Sequence, residues 1–347
     1  MKVVIVGGVA GGAGCAARLR RLDENAEIIM LERGEYISYA NCGLPYYVGG
    51  VITDKKALQV QTVAGFRSRF RVDVRTESEV ISVDTQKKTV QVRHGGETYE
   101  ESYDKLVLSP GASPVKPPIP GMEENHVFTL RNIPDTYAIY DFIEENKPKT
   151  CVVVGAGFIG LEMAENLSER GLAVTVVEGA SHVMPPIDMD MAHQVHNYIR
   201  AKGLNLYLGQ TCTAMDKDGV ILGNGQKIPA DMVLLSIGVR PDTAFLKDSG
   251  IEMGARGEIL VNEYMETSAA DVYALGDAVS TFHVVSGAKV VIPLASPANK
   301  QGRIVGDNLS GRRTAYKGSQ GTSIMKFFDM TVAVTGEKEE SLKAQGR

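Results

Sequence analysis

The stretch KVVIVGGVAGGAGCAARLRRL (residues 2–22) sets a short apolar run, VVIV, against a glycine-rich turn and then an amphipathic helical pattern. An uninterrupted apolar run of that length predicts a strand buried on both faces, as in a parallel sheet. A second strand follows as EIIMLE (27–32), ending on Glu32. Strand, glycine turn, helix, strand and terminal acid make a dinucleotide fingerprint. The glycines let a pyrophosphate approach the backbone at the helix N-terminus, and the acid accepts hydrogen bonds from ribose hydroxyls.

The chain carries this device twice. The second copy is TCVVVGAGFIGLEMAENLSERG (150–171), followed by AVTVVE (173–178), which ends on Glu178. Its glycines, Gly155, Gly157 and Gly160, are complete, with Phe158 and Ile159 between the last two. The first copy reads Gly7-Gly8-Val9-Ala10-Gly11-Gly12, with valine where the middle glycine belongs. Glu178 predicts NADH, with NADPH the second choice, because a carboxylate repels a 2′-phosphate and EGASH (178–182) supplies no lysine or arginine to bind one.

Two strand-and-turn segments return to these halves: SYDKLVLSPGASP (102–114), with Ser109, Pro110 and Gly111, and ADMVLLSIGVRP (230–241), with Gly238. In TSAADVYALGDA (267–278), Gly276 precedes Asp277, whose carboxylate is placed to accept hydrogen bonds from a polyhydroxyl chain or to cap a helix. The expected fold class is α/β, with two doubly wound Rossmann-like nucleotide-binding domains.

Composition agrees. Glycine, 37 of 347 residues, is about 11% against the usual ~7%, as folds rich in tight turns require. A net charge of -5 argues against a nucleic-acid or anionic-membrane partner. No apolar run approaches the ~18 residues of a membrane span, and the N-terminus lacks a secretory pattern. The four cysteines, Cys15, Cys42, Cys151 and Cys212, form no CxxC pair, so neither a metal site nor a neighbouring dithiol is expected. A disulfide framework is not expected in such a chain, and the compartment implied is the cytoplasm.

The chemistry-bearing segment is YISYANCGLPYYVGG (36–50). Cys42 is expected to follow a short strand and to begin a helix, where the macrodipole lowers a thiol pKa and favours the thiolate that attacks disulfide sulfur. The alternative is a small buried hydrophobe, a reading that suits Cys15, Cys151 and Cys212 better.

The double fingerprint, the SPGA turn, the ALGDA segment and above all ANCGLPYY resemble the pyridine nucleotide-disulfide oxidoreductase family. Within it the chain looks like the coenzyme A-disulfide reductases and NADH-dependent persulfide reductases, across essentially its whole length. That resemblance implies FAD held by Gly7, Gly8, Ala10, Gly11, Gly12, Glu32, Arg33, Asn41, Val80, Ser109, Pro110, Gly111, Arg131, Gly276, Asp277, Pro293, Leu294 and Ala295. It implies NADH on Gly155, Gly157, Phe158, Ile159, Gly160, Glu178 and Gly238, with Glu162 near the nicotinamide. Coenzyme A is implied as substrate or ligand on Arg18, Arg21, Ser38, Asn41 and Asn299, although Arg18 and Arg21 read equally as a solvated basic stripe. Electrons are expected to pass from nicotinamide to flavin to a mixed disulfide or persulfide on Cys42, which the resemblance places against the flavin. Two departures stand out. The family's coenzyme A-binding lysine falls on Phe70, with Arg69 and Arg71 beside it, and Ala10 stands where related peroxidases and oxidases carry histidine. The alternatives are an oxygen-reducing NADH oxidase with a cysteine sulfenate, and a flavoprotein electron donor to a protein partner.

The expected domains are an FAD-binding domain at 1–119 and 254–315, interrupted by an NAD(P)H-binding domain at 120–253. Residues 316–347 are expected to begin an α+β dimerisation domain that continues beyond this chain and makes a homodimer. Within it SIMKFFDMTVAVTG (323–336) reads as strand, and EKEESLKAQ (337–345) as a short polar helix.

Overall fold

The computed structural model describes residues 1–346 and divides into two compact units, built on the same plan.

The first unit comprises Met1–Tyr39, Gln59–Ser113 and Arg240–Gly321. Its five-stranded sheet runs in the order Val272–Ala274, Lys105–Leu108, Lys2–Val6, Glu27–Leu31, Asp73–Arg75, with every pairing parallel. Val3, Val4 and Ile5 are fully buried in one core with Cys15, Ala16 and Leu19 of the fingerprint helix and with Val80, Val90 and Val92, which is why the central strand reads as apolar without alternation. Chain order reverses at Lys2–Val6, which has Glu27–Leu31 on one side and Lys105–Leu108 on the other. The crevice at the carboxyl ends of those strands is where doubly wound sheets bind ligands. The fingerprint helix Ala10–Leu22 packs against Ala295–Leu309 closely enough that a Cβ at Gly302 would lie 2.5 Å from the Gly11 carbonyl oxygen. This unit also carries an antiparallel three-stranded sheet, Ser78–Asp84, Thr89–His94 and Glu97–Ser102, and a smaller mixed one of Ile259–Leu260, Val279–Phe282 and Lys289–Val290.

The second unit comprises Ala40–Leu58, Pro114–Val239 and Thr322–Arg347. Its parallel sheet has the order Asn205–Leu208, Ala173–Glu178, Thr150–Val154, Met232–Leu235, Val127–Thr129, again reversing at the fingerprint strand. It too carries a three-stranded antiparallel sheet, Cys212–Asp216, Gly219–Leu222 and Lys227–Pro229. Cys212 opens the first of these strands. The units divide the chain at other points than the motifs suggest: Ala40–Leu58, with Cys42, belongs by its contacts to the unit of the second fingerprint.

The segment after Thr322 is an antiparallel hairpin, Ser323–Phe327 with Met330–Val334, so each strand partners the other. Phe327 is fully buried and meets Tyr198 edge-on at 6.2 Å. A short helix follows at Glu339–Ala344, and the N–H groups of Glu339 and Glu340 donate to the Asp188 carboxylate at 2.8 and 3.1 Å. Among the described residues no helix is long and apolar enough to cross a membrane.

Candidate active site

In the first unit the strand Lys2–Val6 ends on Gly7, whose φ of 95° and whose Cβ position, 2.0 Å from the Ser109 carbonyl oxygen, admit only glycine. Gly12 brings the helix down onto that turn, its Cβ position 1.9 Å from the Gly7 carbonyl oxygen. The helix starts at Val9 without a side-chain cap, leaving its first N–H groups for an anionic ligand. Glu32 closes the loop: one carboxylate oxygen accepts from the Gly8 N–H at 2.8 Å, the other from Gly34 at 2.9 Å. Burial raises its pKa, against the pull of those bonds.

Onto this turn fold the two later segments. A Cβ at Gly11 would lie 2.2 Å from Leu275 Cδ1 and 2.9 Å from Ser109 Oγ, and one at Gly276 would meet Ser109 Oγ at 3.6 Å. Pro110 and Gly111 continue the same turn, and the Gly276 N–H donates to Gln301 Oε1 at 2.7 Å. Gln301 was not visible as a site residue, since a lone glutamine in a helix gives no signal. Asp277 caps no α-helix. It sits in the 3₁₀ turn Gly276–Ala278, and burial pushes its carboxyl pKa up to about 6. A half-buried carboxyl beside an uncapped, glycine-walled helix start fits FAD, with hydroxyls for Asp277 and a pyrophosphate for the turn.

The other predicted residues of this unit divide. Pro293, Leu294 and Ala295 lead into the helix Ala295–Leu309, capped by no side chain. Ser38 takes φ 45° and donates its N–H to the Gly8 carbonyl at 2.9 Å, while its own carbonyl accepts from Val60 and Gln61. These bonds replace the strand expected before Cys42 with an irregular loop. Val80 is buried in the antiparallel sheet, and Arg33 pairs with Asp242. Arg18 is engaged with Asp307 at 2.7 Å, and Arg21 lies over the Phe70 ring at 5.6 Å, so the two form no ready phosphate clamp. Arg20 between them is buried, donating to the carbonyls of Phe70, Arg71, Asp23 and Glu24. Phe70 is itself a core residue, its ring tilted against that of Phe66 at 4.8 Å. Asn299 is exposed on the helix and donates to the Ala295 carbonyl at 3.0 Å.

The second unit repeats the turn. Gly155 takes φ 103°, with its Cβ position 2.5 Å from the Ser236 carbonyl oxygen, and that of Gly160 lies 1.9 Å from the Gly155 carbonyl oxygen. Glu178 accepts from Ala156 and Ala180 N–H groups at 2.7 and 2.8 Å, as Glu32 does from Gly8 and Gly34. The helix Phe158–Glu169 begins uncapped at Gly157, with Phe158 and an exposed Ile159 in its first turn. Gly238, with φ 120°, faces open space. Arg131, expected to bind FAD, lies in this unit, its N–H on the Asp135 carboxylate.

Cys42 also lies here, in the 3₁₀ turn Asn41–Gly43 that leads into the one-turn helix Leu44–Val48, with Pro45 in its first turn. Residues Asn41 and Cys42 are exposed, whereas Cys15 and Cys151 are fully buried, and all four thiols are free. The expected lowering of the Cys42 pKa is not found. Protein packed around the sulfur raises it, the charge of Glu162 raises it further, and a local backbone hydrogen bond only partly opposes them. A single helical turn has too little aligned dipole to win. The Glu162 carboxyl is itself pushed up to about 7, by burial and by Glu165.

Residues 1–302 match the family described as pyridine nucleotide-disulphide oxidoreductase. A coenzyme A disulfide reductase of Staphylococcus aureus (strain NCTC 8325 / PS 47) is 37% identical over 345 residues, 99% of this chain and 78% of that protein. The structure of reduced Bacillus anthracis CoADR-RHD superposes with a TM-score of 0.98 at 50% identity, over 99% of this chain and 63% of that one. An NAD-dependent persulfide reductase from A. fulgidus gives 0.97 at 39%, over 100% of this chain and 66% of that one. The chain thus spans just under two thirds of the length of these two structures.

Proposed function

The chain belongs to the pyridine nucleotide-disulphide oxidoreductase family, flavoproteins that use FAD and NAD(P)H, and we propose that it reduces a small-molecule disulfide or persulfide, such as one of coenzyme A, through Cys42 alone. The observation that carries this is the contrast among the cysteines. Three are buried or half-buried structural residues, while Cys42 is exposed beside a carboxyl that titrates near neutrality.

The first unit's turn, with Glu32, Ser109, Gly276 and Asp277, holds FAD in this reading, and Gly155–Gly160 with Glu178 holds NADH. FAD, when bound, supplies the two-electron relay between nicotinamide and sulfur. The thiolate of Cys42 attacks a sulfur of the substrate and a thiol departs, which leaves Cys42 in a mixed disulfide when the substrate is a disulfide, or as a persulfide when the outer sulfur of a persulfide is attacked. With no neighbouring thiol to resolve it, that bond is cleaved by the two electrons that NADH provides.

Cys42→Ser tests the reading. The variant is expected to keep its yellow colour and its bleaching by NADH, and to lose turnover of coenzyme A disulfide and of coenzyme A persulfide. Undiminished turnover overturns it, and oxygen consumption in the same assay shows whether oxygen competes as acceptor.

A further inference from the structure

In the first unit the strand Val272–Ala274 lies at the edge of the parallel sheet, paired with Lys105–Leu108. The pairing runs one residue past the strand, where the Leu275 N–H donates to the Leu108 carbonyl at 2.9 Å. The chain then leaves the sheet. Gly276 takes φ 83°, and its half-buried N–H needs a partner that no neighbouring strand supplies. The side chain of Gln301 provides one, with Oε1 at 2.7 Å. The turn closes when the Val279 N–H donates to the Gly276 carbonyl, so Asp277 stands between two fixed hydrogen bonds. Among the described residues no hydrogen bond or ion pair engages the Asp277 carboxylate itself, and its direction is therefore set by the backbone of this turn.

Gln301 is an unusual residue for its place. It is 2% exposed on the face of the helix Ala295–Leu309 that also buries Ala298, Gly302, Val305 and Gly306. Those glycines seat this helix on the fingerprint helix: a Cβ at Gly302 would lie 2.5 Å from the Gly11 carbonyl oxygen, and one at Gly306 would lie 3.2 Å from the Leu19 nitrogen. A long amide buried in such a seam is costly unless both its ends are used. One end holds Gly276. The other lies beside the buried Tyr316 hydroxyl, whose pKa rises by burial while the Gln301 and Ser319 side chains oppose the rise. Packing alone asks for no amide here, since a methionine fills a similar volume without the desolvation. Adjacent residues of one helix thus reach both parts of the site, Gly302 the phosphate turn at Gly11 and Gln301 the carboxylate turn at Gly276.

We propose that Gln301 is a positioning residue for FAD: its bond to the Gly276 N–H holds the Asp277 carboxylate in register with the phosphate turn. This rests on the assignment of FAD to the first unit's turn. Because the bond lies within the protein, it orders the carboxylate without help from a ligand, and such preorganisation lowers the ordering cost of binding.

The test titrates FAD into the deflavinated full chain, following the flavin's fluorescence, with thermal midpoints of the flavin-free samples as the measure of packing. Asp277→Ala should weaken FAD roughly 100-fold, the scale of lost hydrogen bonds to a carboxylate. Gln301→Met, close in volume but without the acceptor, should weaken it roughly tenfold, and Gln301→Glu, which keeps an oxygen at the same reach, should stay within about threefold of the unmodified protein. The double variant separates positioning from packing. With Asp277→Ala in place, Gln301→Met should weaken FAD by less than about twofold more, because the carboxylate it positions is gone, whereas a packing role gives the same tenfold in both backgrounds. Full additivity, no rescue by glutamate, or a Gln301→Met affinity equal to that of the unmodified protein overturns the proposal. If Gln301→Met yields no soluble protein, Gln301→Asn, one methylene too short to reach Gly276, takes its place under the same criteria. An Asp277→Ala variant that binds FAD undiminished sinks the assignment of FAD to this turn instead; a weakened Asp277→Ala with an unaffected Gln301→Met removes Gln301 alone.

Discussion

The two nucleotide-binding turns agree wherever protein meets protein and part where protein meets ligand. Gly12 and Gly160 both bring a helix to 1.9 Å, measured from a Cβ position, of the glycine carbonyl five residues back. Glu32 and Glu178 both clamp the loop with one hydrogen bond from each carboxylate oxygen. The middle position differs: Val9 in one, and Gly157 in the other, where a Cβ would meet nothing within 4 Å. The flanking glycines are thus required by the fold itself, and the middle one only by how closely a ligand's phosphates approach. That is why an incomplete fingerprint still folds into a complete turn.

The largest effect should come from striking what the turns share. Gly12→Ala and Gly160→Ala each force a methyl group onto a backbone carbonyl, which nothing flexible can relieve. Each should cost about 3 kcal/mol or more and lower the thermal midpoint by several degrees. Flavin absorbance after purification separates them: Gly12→Ala should emerge depleted of FAD, and Gly160→Ala should stay yellow while failing to bind NADH. Equal flavin content in the two would break the assignment of one cofactor to each turn.

The fold was legible because each level of sequence signal agreed. Apolar runs without alternation marked the parallel strands, and the glycine spacing marked the turns. What escaped was set by packing between distant segments. Arg18, Arg20 and Arg21 look alike in RLRRL, yet Asp307, four backbone carbonyls and Phe70 respectively give them three different surroundings. The Cys42 pKa escaped for the same reason. Local sequence shows the start of a helix, whereas the charge that matters, Glu162, is 120 residues away in the chain.

Asp277 gives the first unit a carboxyl raised by burial in the segment after its sheet, whereas the second unit carries one, Glu162, on its fingerprint helix. The Asp277 pKa rises from 3.8 to about 6 on burial, so the ionised form is penalised in the folded chain. A raised carboxyl contributes stability that is fully present below the unfolded pKa and is lost as pH climbs through the folded one. Flavin-free protein should therefore lose ~1–2 kcal/mol between about pH 4 and pH 7, the two-unit shift discounted for partial exposure. Asp277→Asn should flatten that slope. Adding FAD should flatten it too, if hydroxyl donors reach the carboxylate, and thermal midpoints across the pH range read both.

The middle position supplies the smallest and most selective test. Because a Cβ at Gly157 has open space around it, Gly157→Val should leave the thermal midpoint nearly unchanged. It should still weaken NADH binding by roughly tenfold, ~1.4 kcal/mol, since the added methyl groups stand where the pyrophosphate approaches. The reverse change, Val9→Gly, should leave the flavin in place and cost no more than about 1 kcal/mol, the backbone freedom that glycine restores to the unfolded chain. NADH titration of the first variant and urea unfolding of the second measure these terms. If Gly157→Val unfolds the protein rather than weakening NADH, the middle glycine serves the fold after all. Val9 would then require some compensation elsewhere in the first turn, for which the neighbouring Gly8 and Gly11 are the candidates to replace next.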